Sequence, residues 1–219
     1  RFEPAETRGE LAASRWEIAS VGVGQSVSLD GSAGNTTTQF ASEYAGIATG
    51  FAVGLSEHVD ATIRLEPQAP IQARFKYQLL GASHRKADAG NLAAAVVGGV
   101  GFAADSAFTT YAKQDATVST FYVMADLGAT VSYRLGMRWM LYLAGGFPVH
   151  RYAAQFKDTA SGGTLADLSG IATQPLYAVG WHYEAASLFF EFELAKARAS
   201  SGLTTRVAYL PGLMMGIKL

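Results

Sequence analysis

The stretch that decides the fold is Ser119-Thr120-Phe121-Tyr122-Val123-Met124-Ala125-Asp126-Leu127-Gly128-Ala129-Thr130-Val131-Ser132-Tyr133-Arg134. In an extended chain successive side chains point to opposite sides. Phe121, Val123, Ala125, Leu127, Ala129, Val131 and Tyr133 therefore share one face, and Thr120, Tyr122, Asp126, Gly128, Thr130, Ser132 and Arg134 share the other. One face is oily and the other polar, over a length that a tilted strand needs to cross hydrocarbon, about ten residues.

The same period recurs outward from this stretch. Residues 71–79 set Ile71, Ala73, Phe75, Tyr77 and Leu79 against Gln72, Arg74, Lys76 and Gln78. Residues 188–194 set Leu188, Phe190, Phe192 and Leu194 against Glu191 and Glu193, and 175–184 set Tyr177, Val179, Trp181 and Tyr183 against Ala178, Gly180, His182 and Glu184. Residues 137–149 place Trp139, Leu141, Leu143, Phe147 and Val149 opposite Arg138, Tyr142, Ala144 and Gly146. The last segment alternates from Arg206 to Leu219, and 16–29, 42–55, 59–66 and 91–104 follow the pattern less regularly. Pro67 and Pro70 break the chain between 59–66 and 71–79, since proline cannot donate to a central ladder. The expectation is a closed antiparallel transmembrane β-barrel of about ten strands over residues 16–219, preceded by a polar periplasmic segment, 1–15, that forms a short helix or a tail.

Composition supports an all-β membrane reading. Hydrophobic residues make up 49% of the 219 and charged residues only 16%, a low charge content for a soluble domain. The oiliest run, Leu92 to Ala104, is broken by Gly98, Gly99 and Gly101 and falls short of the roughly 18 apolar residues of a spanning helix. Those glycines do not form a phosphate loop, because no Lys-Ser/Thr or helix start follows them. The absence of cysteine removes disulfide scaffolds, thiolate zinc sites and cysteine nucleophiles. A net charge of −1 gives no electrostatic reason to expect a nucleic-acid partner. Connections sort into mostly short links near 56–58, 135–137 and 184–187, with a longer one at 81–90, and opposite them the stretches 30–41, 105–117 and 153–171, with brief links near 67–70 and 200–205. That asymmetry matches short periplasmic turns and longer external loops.

On these faces and links the chain resembles the small outer-membrane β-barrels of Gram-negative bacteria. The likeness covers about residues 16–219 and rests on architecture, not on a signature motif. The ending Leu213-Met214-Met215-Gly216-Ile217-Lys218-Leu219 alternates as theirs does but carries Leu where they usually end on an aromatic residue. The resemblance implies an outer-membrane location after removal of a signal peptide, membrane lipids as partners, and an aromatic girdle. Tyr133, Trp139, Phe147, Trp181, Tyr183 and Tyr209 lie near strand ends, where girdle residues belong.

With apolar faces toward lipid, a lumen charge network of Arg64, Glu66, Arg74, Lys76, Asp126, Arg134, Arg138, His182, Glu184, Glu191 and Glu193 is expected. Such balanced charges meeting across a narrow lumen read as a hydrogen-bonded plug before they read as an ion path. No cofactor or metal is expected, and no catalytic residue. Barrel acyl hydrolases place Ser two positions from His, whereas His58, His84, His150 and His182 are followed two residues on by Asp60, Lys86, Tyr152 and Glu184. An omptin-like protease needs a second close carboxylate pair, which His58 and Asp60 lack. A lumen enzyme centred on His182, Glu184, Glu191 and Glu193, and an adhesin acting through the external loops, stand as alternatives to a structural or narrow pore-like barrel.

Small outward residues allow close backbone approach. Ala94, Gly98, Ala125 and Ala129 therefore mark an expected protomer contact in a homo-oligomer, ring-shaped or otherwise cyclic. A mass measurement in mild detergent should then give more than one copy, and a monomer alone would remove this contact.

Overall fold

The computed structural model describes residues 3–8, 14–24, 29–33, 36–40, 44–65, 71–111, 114–173, 175–185, 188–200 and 205–218. Among them the regular elements are all strands: β1 (Ser14–Gly24), β2 (Leu29–Ala33), β3 (Thr36–Phe40), β4 (Tyr44–Ser56), β5 (Val59–Leu65), β6 (Ile71–Leu80), β7 (Leu92–Tyr111), β8 (Gln114–Gly136), β9 (Trp139–Gly146), β10 (Val149–Asp158), β11 (Thr164–Thr173), β12 (Leu176–Ala185), β13 (Leu188–Ser200) and β14 (Thr205–Lys218). Twelve belong to one curled antiparallel sheet, and β2 and β3 pair only as a separate hairpin.

Neighbours in sequence are mostly neighbours in the sheet. β4 to β9 pair in order, β1 pairs with β4 and β14, and β13 pairs with β12 and β14. β9 and β10 are interrupted at Phe147 and Pro148, and Pro175 directly precedes β12 after β11 has ended at Thr173. Proline has no N–H for a ladder, so one long strand is divided at each place. The strand count consequently exceeds the ten that alternation suggests.

The stretches 105–117 and 153–171 are corrected. They are not loops. β7 and β8 remain paired up to Tyr111 and Gln114, and β10 and β11 pair from Val149 and Thr173 to Lys157 and Thr164. β10 also pairs along the upper half of β8, from Ala125 to Ala116. Polar residues such as Thr109, Thr110, Ser119 and Thr120 hid strands that extend beyond the apolar zone. Likewise, 30–41 holds the β2–β3 hairpin.

Burial follows the alternation closely. On β8 the outward Phe121, Val123, Leu127, Val131 and Tyr133 are exposed while the inward Met124, Thr130, Ser132 and Arg134 are buried. Phe75 is 59% exposed and Leu127 69%, against 2% for Arg64 and 1% for Asp60. The polarity is the reverse of a water-soluble domain, where large apolar side chains go inside and charges stay out. On β7 the outward apolar positions run from Leu92 to Phe102. About ten residues at roughly 3.3 Å each, tilted by about 40°, cover about 25 Å of height.

Beyond that belt the polarity turns over. On the raised ends of β8, β10 and β11, Ser119, Arg151, Lys157 and Asp167 face outward and are exposed. Ala116, Val118, Ala154 and Phe156 face inward and are buried, with Leu165 and Leu168 packed on them. This part of the sheet is built like a soluble one, with its own small core.

Two inward glycines let side chains cross a strand. Arg74 on β6 is level with Gly99 on β7, which is level with Asp126 on β8. The Arg74–Asp126 ion pair forms directly over Gly99, where a Cβ would meet both partners. Tyr142 on β9 lies over Gly180 on β12 in the same way and reaches Glu193 on β13 at 3.1 Å. Gly180→Val should cost about 1–3 kcal/mol through overpacking, read as a lower thermal midpoint, whereas Gly136→Ala, which meets nothing within 4 Å, should leave the midpoint unchanged.

Candidate functional site

The inward faces of β5 to β8 carry Asp60, Arg64, Lys76, Gln78, Thr130, Ser132 and Arg134, all buried. Their alternation in each strand brings them to one concave surface. Into it runs the segment Glu3-Pro4-Ala5-Glu6-Thr7-Arg8. It is neither helix nor strand, and Pro4 through Arg8 are buried.

Main-chain groups of this segment are held mainly by side chains of the sheet. The Ala5 N–H donates to Ser132 Oγ at 3.1 Å, the Thr7 N–H to Gln78 Oε1 at 2.6 Å and the Arg8 N–H to Asp60 Oδ1 at 3.0 Å. Lys76 Nζ donates to the carbonyls of Pro4 and Glu6 at 3.0 and 2.8 Å, and Thr130 Oγ1 to that of Glu3 at 3.0 Å. From the β6–β7 connection, the His84 N–H donates to the Thr7 carbonyl at 2.7 Å.

Charge is matched as well. Glu6 pairs with Arg134, accepts from Asn91 Nδ2 at 2.8 Å and faces His84 Nδ1 at 3.4 Å. Glu3 faces Arg64 at 3.8 Å and Lys76 at 3.9 Å, and Arg8 bonds Asp60 at 2.8 Å. Burial alone would raise the Glu6 carboxyl, but its bonds to His84, Arg134 and Asn91 outweigh burial and lower it to about 2. Ala5 fits against Ala93 and Ala95, whose small side chains leave room on the inner face of β7.

A second cluster lies on β9, β12 and β13 and is joined to the first through His84. His84 Nε2 is 2.9 Å from Glu184. His182 Nε2 is 2.9 Å from Glu184, and His182 Nδ1 is 3.1 Å from Glu191. Tyr142 donates to Glu191 at 2.9 Å and to Glu193. The i, i+2 spacing of His182 and Glu184 and of Glu191 and Glu193 places all four inward. With a carboxylate at each ring nitrogen, His182 is held as a link between two acids. Among the described residues no group of three or more His, Asp or Glu is disposed to hold a metal ion.

Of the residues picked from the sequence, Arg64, Lys76 and Arg134 meet the N-terminal segment, Arg74 meets Asp126, and His182, Glu184, Glu191 and Glu193 converge. Arg138 does not join them. It occupies the turn between β8 and β9 and is exposed, because the strand has ended before it. Glu66 lies outside the described residues. Trp139 stacks on Trp181 at 4.8 Å and contacts Tyr183 at 4.4 Å, forming an aromatic patch at the β8–β9 turn end. Tyr133 and Phe147 are outward and exposed, while the side chain of Tyr209 is outside the description. Ala94, Gly98, Ala125 and Ala129 sit on adjacent strands, but Leu127 is level with Gly98 and stands out among them. They form no continuous shallow stripe.

Sequence reading did not name Glu3, Glu6, Arg8, Asp60, Gln78, His84 and Tyr142 as parts of the network. One signal was available: inward cations on β5 to β8 outnumber the acids of the same strands, and Glu3 and Glu6 supply the missing charge.

No family model and no curated protein matches the chain. Among solved structures it is similar to the crystal structure of Ail, the attachment invasion locus protein of Yersinia pestis, with 14% identity over 96% of this chain and 100% of that one and a TM-score of 0.38. A likeness that low carries no functional weight.

The folded value of Glu6 lies below its ordinary 4.5. Its contribution is thus fully present above about 4.5 and is lost as pH falls through about 2. Hydrogen-exchange protection of residues 5–8, corrected for intrinsic rates, should persist at pH 4 and disappear near pH 2. Glu6→Gln should lower that protection already at pH 7, by roughly 3 kcal/mol, since it leaves Arg134 without its buried partner.

Proposed function

We propose that this chain is an integral outer-membrane β-barrel, non-enzymatic, with a lumen filled rather than conducting, which anchors a raised β-sheet outside the cell. The observation that carries this reading is the reversed polarity, exposed Phe, Leu, Val and Trp around a wall whose buried face holds Asp60, Arg64, Arg134, His182 and Glu191. Hydrocarbon is the solvent in which such a surface is stable, and a sheet survives there only when its edges are paired.

Closure into a barrel of ten staves is supported by the ladders themselves. Counting β9 with β10 and β11 with β12 as single interrupted staves, hydrogen-bonded neighbours lead from β1 through β4 to β9, on through β12, β13 and β14, and back to β1. The short links and the segment 3–8 belong to the periplasmic end in this reading, and the raised β7–β8 and β10–β11 hairpins to the outside. Those hairpins, whose outer face mixes Ser119, Arg151, Lys157 and Asp167 with exposed Phe108 and Ile171, are the surface for external contacts. An adhesive role would use them.

Two measurements test the proposal. Unboiled protein in SDS should migrate differently from boiled protein, as closed barrels resist unfolding in detergent. In planar bilayers it should insert without steady conductance. Identical mobility before and after boiling would reject the barrel, and stable channels of regular size would reject the filled lumen.

A further inference from the structure

The segment 3–8 lies inside the sheet without being part of it. None of its residues enters a ladder; beside it the pairings β5–β6 and β7–β8 keep one register throughout, and β6–β7 shifts once, between Gln78 and Leu80. It is held as a ligand is held: by side chains reading its main chain, by a hollow at Ala93 and Ala95 for one small residue, and by Arg134 paired with Glu6, while Glu3 pairs with Arg8 of the segment itself at 3.0 Å and faces Arg64 and Lys76 at 3.8 and 3.9 Å. It also has a direction. Glu3 sits deepest, beside Arg64 and Thr130, and Thr7 and Arg8 lie at the turn end, where Thr7 Oγ1 donates to the Glu57 carbonyl at 2.5 Å.

We infer that the turn end of the lumen is a peptide-binding site, specific for a segment bent at its third residue, with two acids three residues apart and a cation two residues further on that pairs back to the first acid, occupied in the resting protein by this chain's own residues 3–8. The inference rests on the barrel reading above. It goes further in assigning recognition to the wall: Gln78, Lys76 and Ser132 read backbone groups, which any extended peptide offers, while Arg134 and Asp60 select an acid at the fourth position of the segment and a cation at its end. An exchangeable peptide is the consequence. Because the sheet keeps its own hydrogen bonds without the segment, the site should empty and refill while the wall stays folded.

The test keeps the whole chain during folding. A specific protease sequence is placed within residues 9–13, the protein is folded in detergent, and the link is then cut. A labelled peptide of residues 1–13 is added in excess, alongside its Glu6→Gln version and a scrambled one, and bound label is measured by fluorescence anisotropy. Heat-modifiable mobility is followed in the same samples. The expected result is uptake of the native peptide by a cut barrel of unchanged mobility, at least tenfold weaker uptake of the Glu6→Gln peptide, and none of the scrambled one. Equal uptake of all three, or no uptake within a day by a barrel that keeps its mobility, would overturn the site while leaving the barrel reading intact. Loss of the modified mobility on cutting would also overturn it, since the segment would then be a structural member of the wall. A chain with no heat-modifiable form before cutting would instead fail the barrel reading.

Discussion

The proposed barrel depends on one constraint, that a backbone surrounded by hydrocarbon finds no water for its N–H and C=O groups. An antiparallel sheet with paired edges satisfies every one of them internally. Each strand then has one face toward lipid and one toward the interior. The pattern read at 119–134 is the direct record of that division, and the burial of Arg134 beside the exposure of Val131 and Tyr133 is its outcome.

Putting polar side chains inside creates a second demand. Moving an ion out of water costs several kcal/mol after relaxation, and the cost is offset only when partners with good geometry surround it. The interior meets this in two ways. Glycines at 99 and 180 let Arg74 and Tyr142 cross a strand to reach acids on the next one. Where the wall of β5 to β8 carries too many cations for its own acids, the segment with Glu3 and Glu6 completes the set. Above the belt the inward face becomes apolar, with Val118 and Phe156 buried inside while Arg151 and Lys157 are exposed outside.

Much of this was legible before any coordinates. The outward and inward faces of β5, β6, β8, β9, β12 and β13 follow from period-two alternation alone, and with them the inward placement of Arg64, Arg74, Lys76, Asp126, His182 and Glu191. Strand ends were less legible. Alternation of oil and polar residues fades in 105–117, where small and polar residues such as Ser106, Thr110 and Thr117 interrupt it, so the stretch reads as loop although β7 and β8 stay paired up to Tyr111 and Gln114. Arg138 was misplaced because parity continues on paper beyond the point where the strand stops. The position of residues 3–8 was the least accessible, since a short polar run has no period. Its place is set by tertiary contacts with residues 50 to 128 positions away.

The claim on which all of this stands is that alternate residues of β8 touch acyl chains. Because the chain has no native cysteine, single cysteines can be placed one at a time from 121 to 133, spin-labelled, and examined in lipid bilayers for relaxation by oxygen, which concentrates in hydrocarbon, and by a water-soluble nickel chelate. The account predicts strong oxygen relaxation at positions 121, 123, 125, 127, 129, 131 and 133 and weak oxygen relaxation at the even positions between them, a clean period of two. Relaxation by the nickel chelate at 125, 127 and 129, or the absence of alternation, would contradict it.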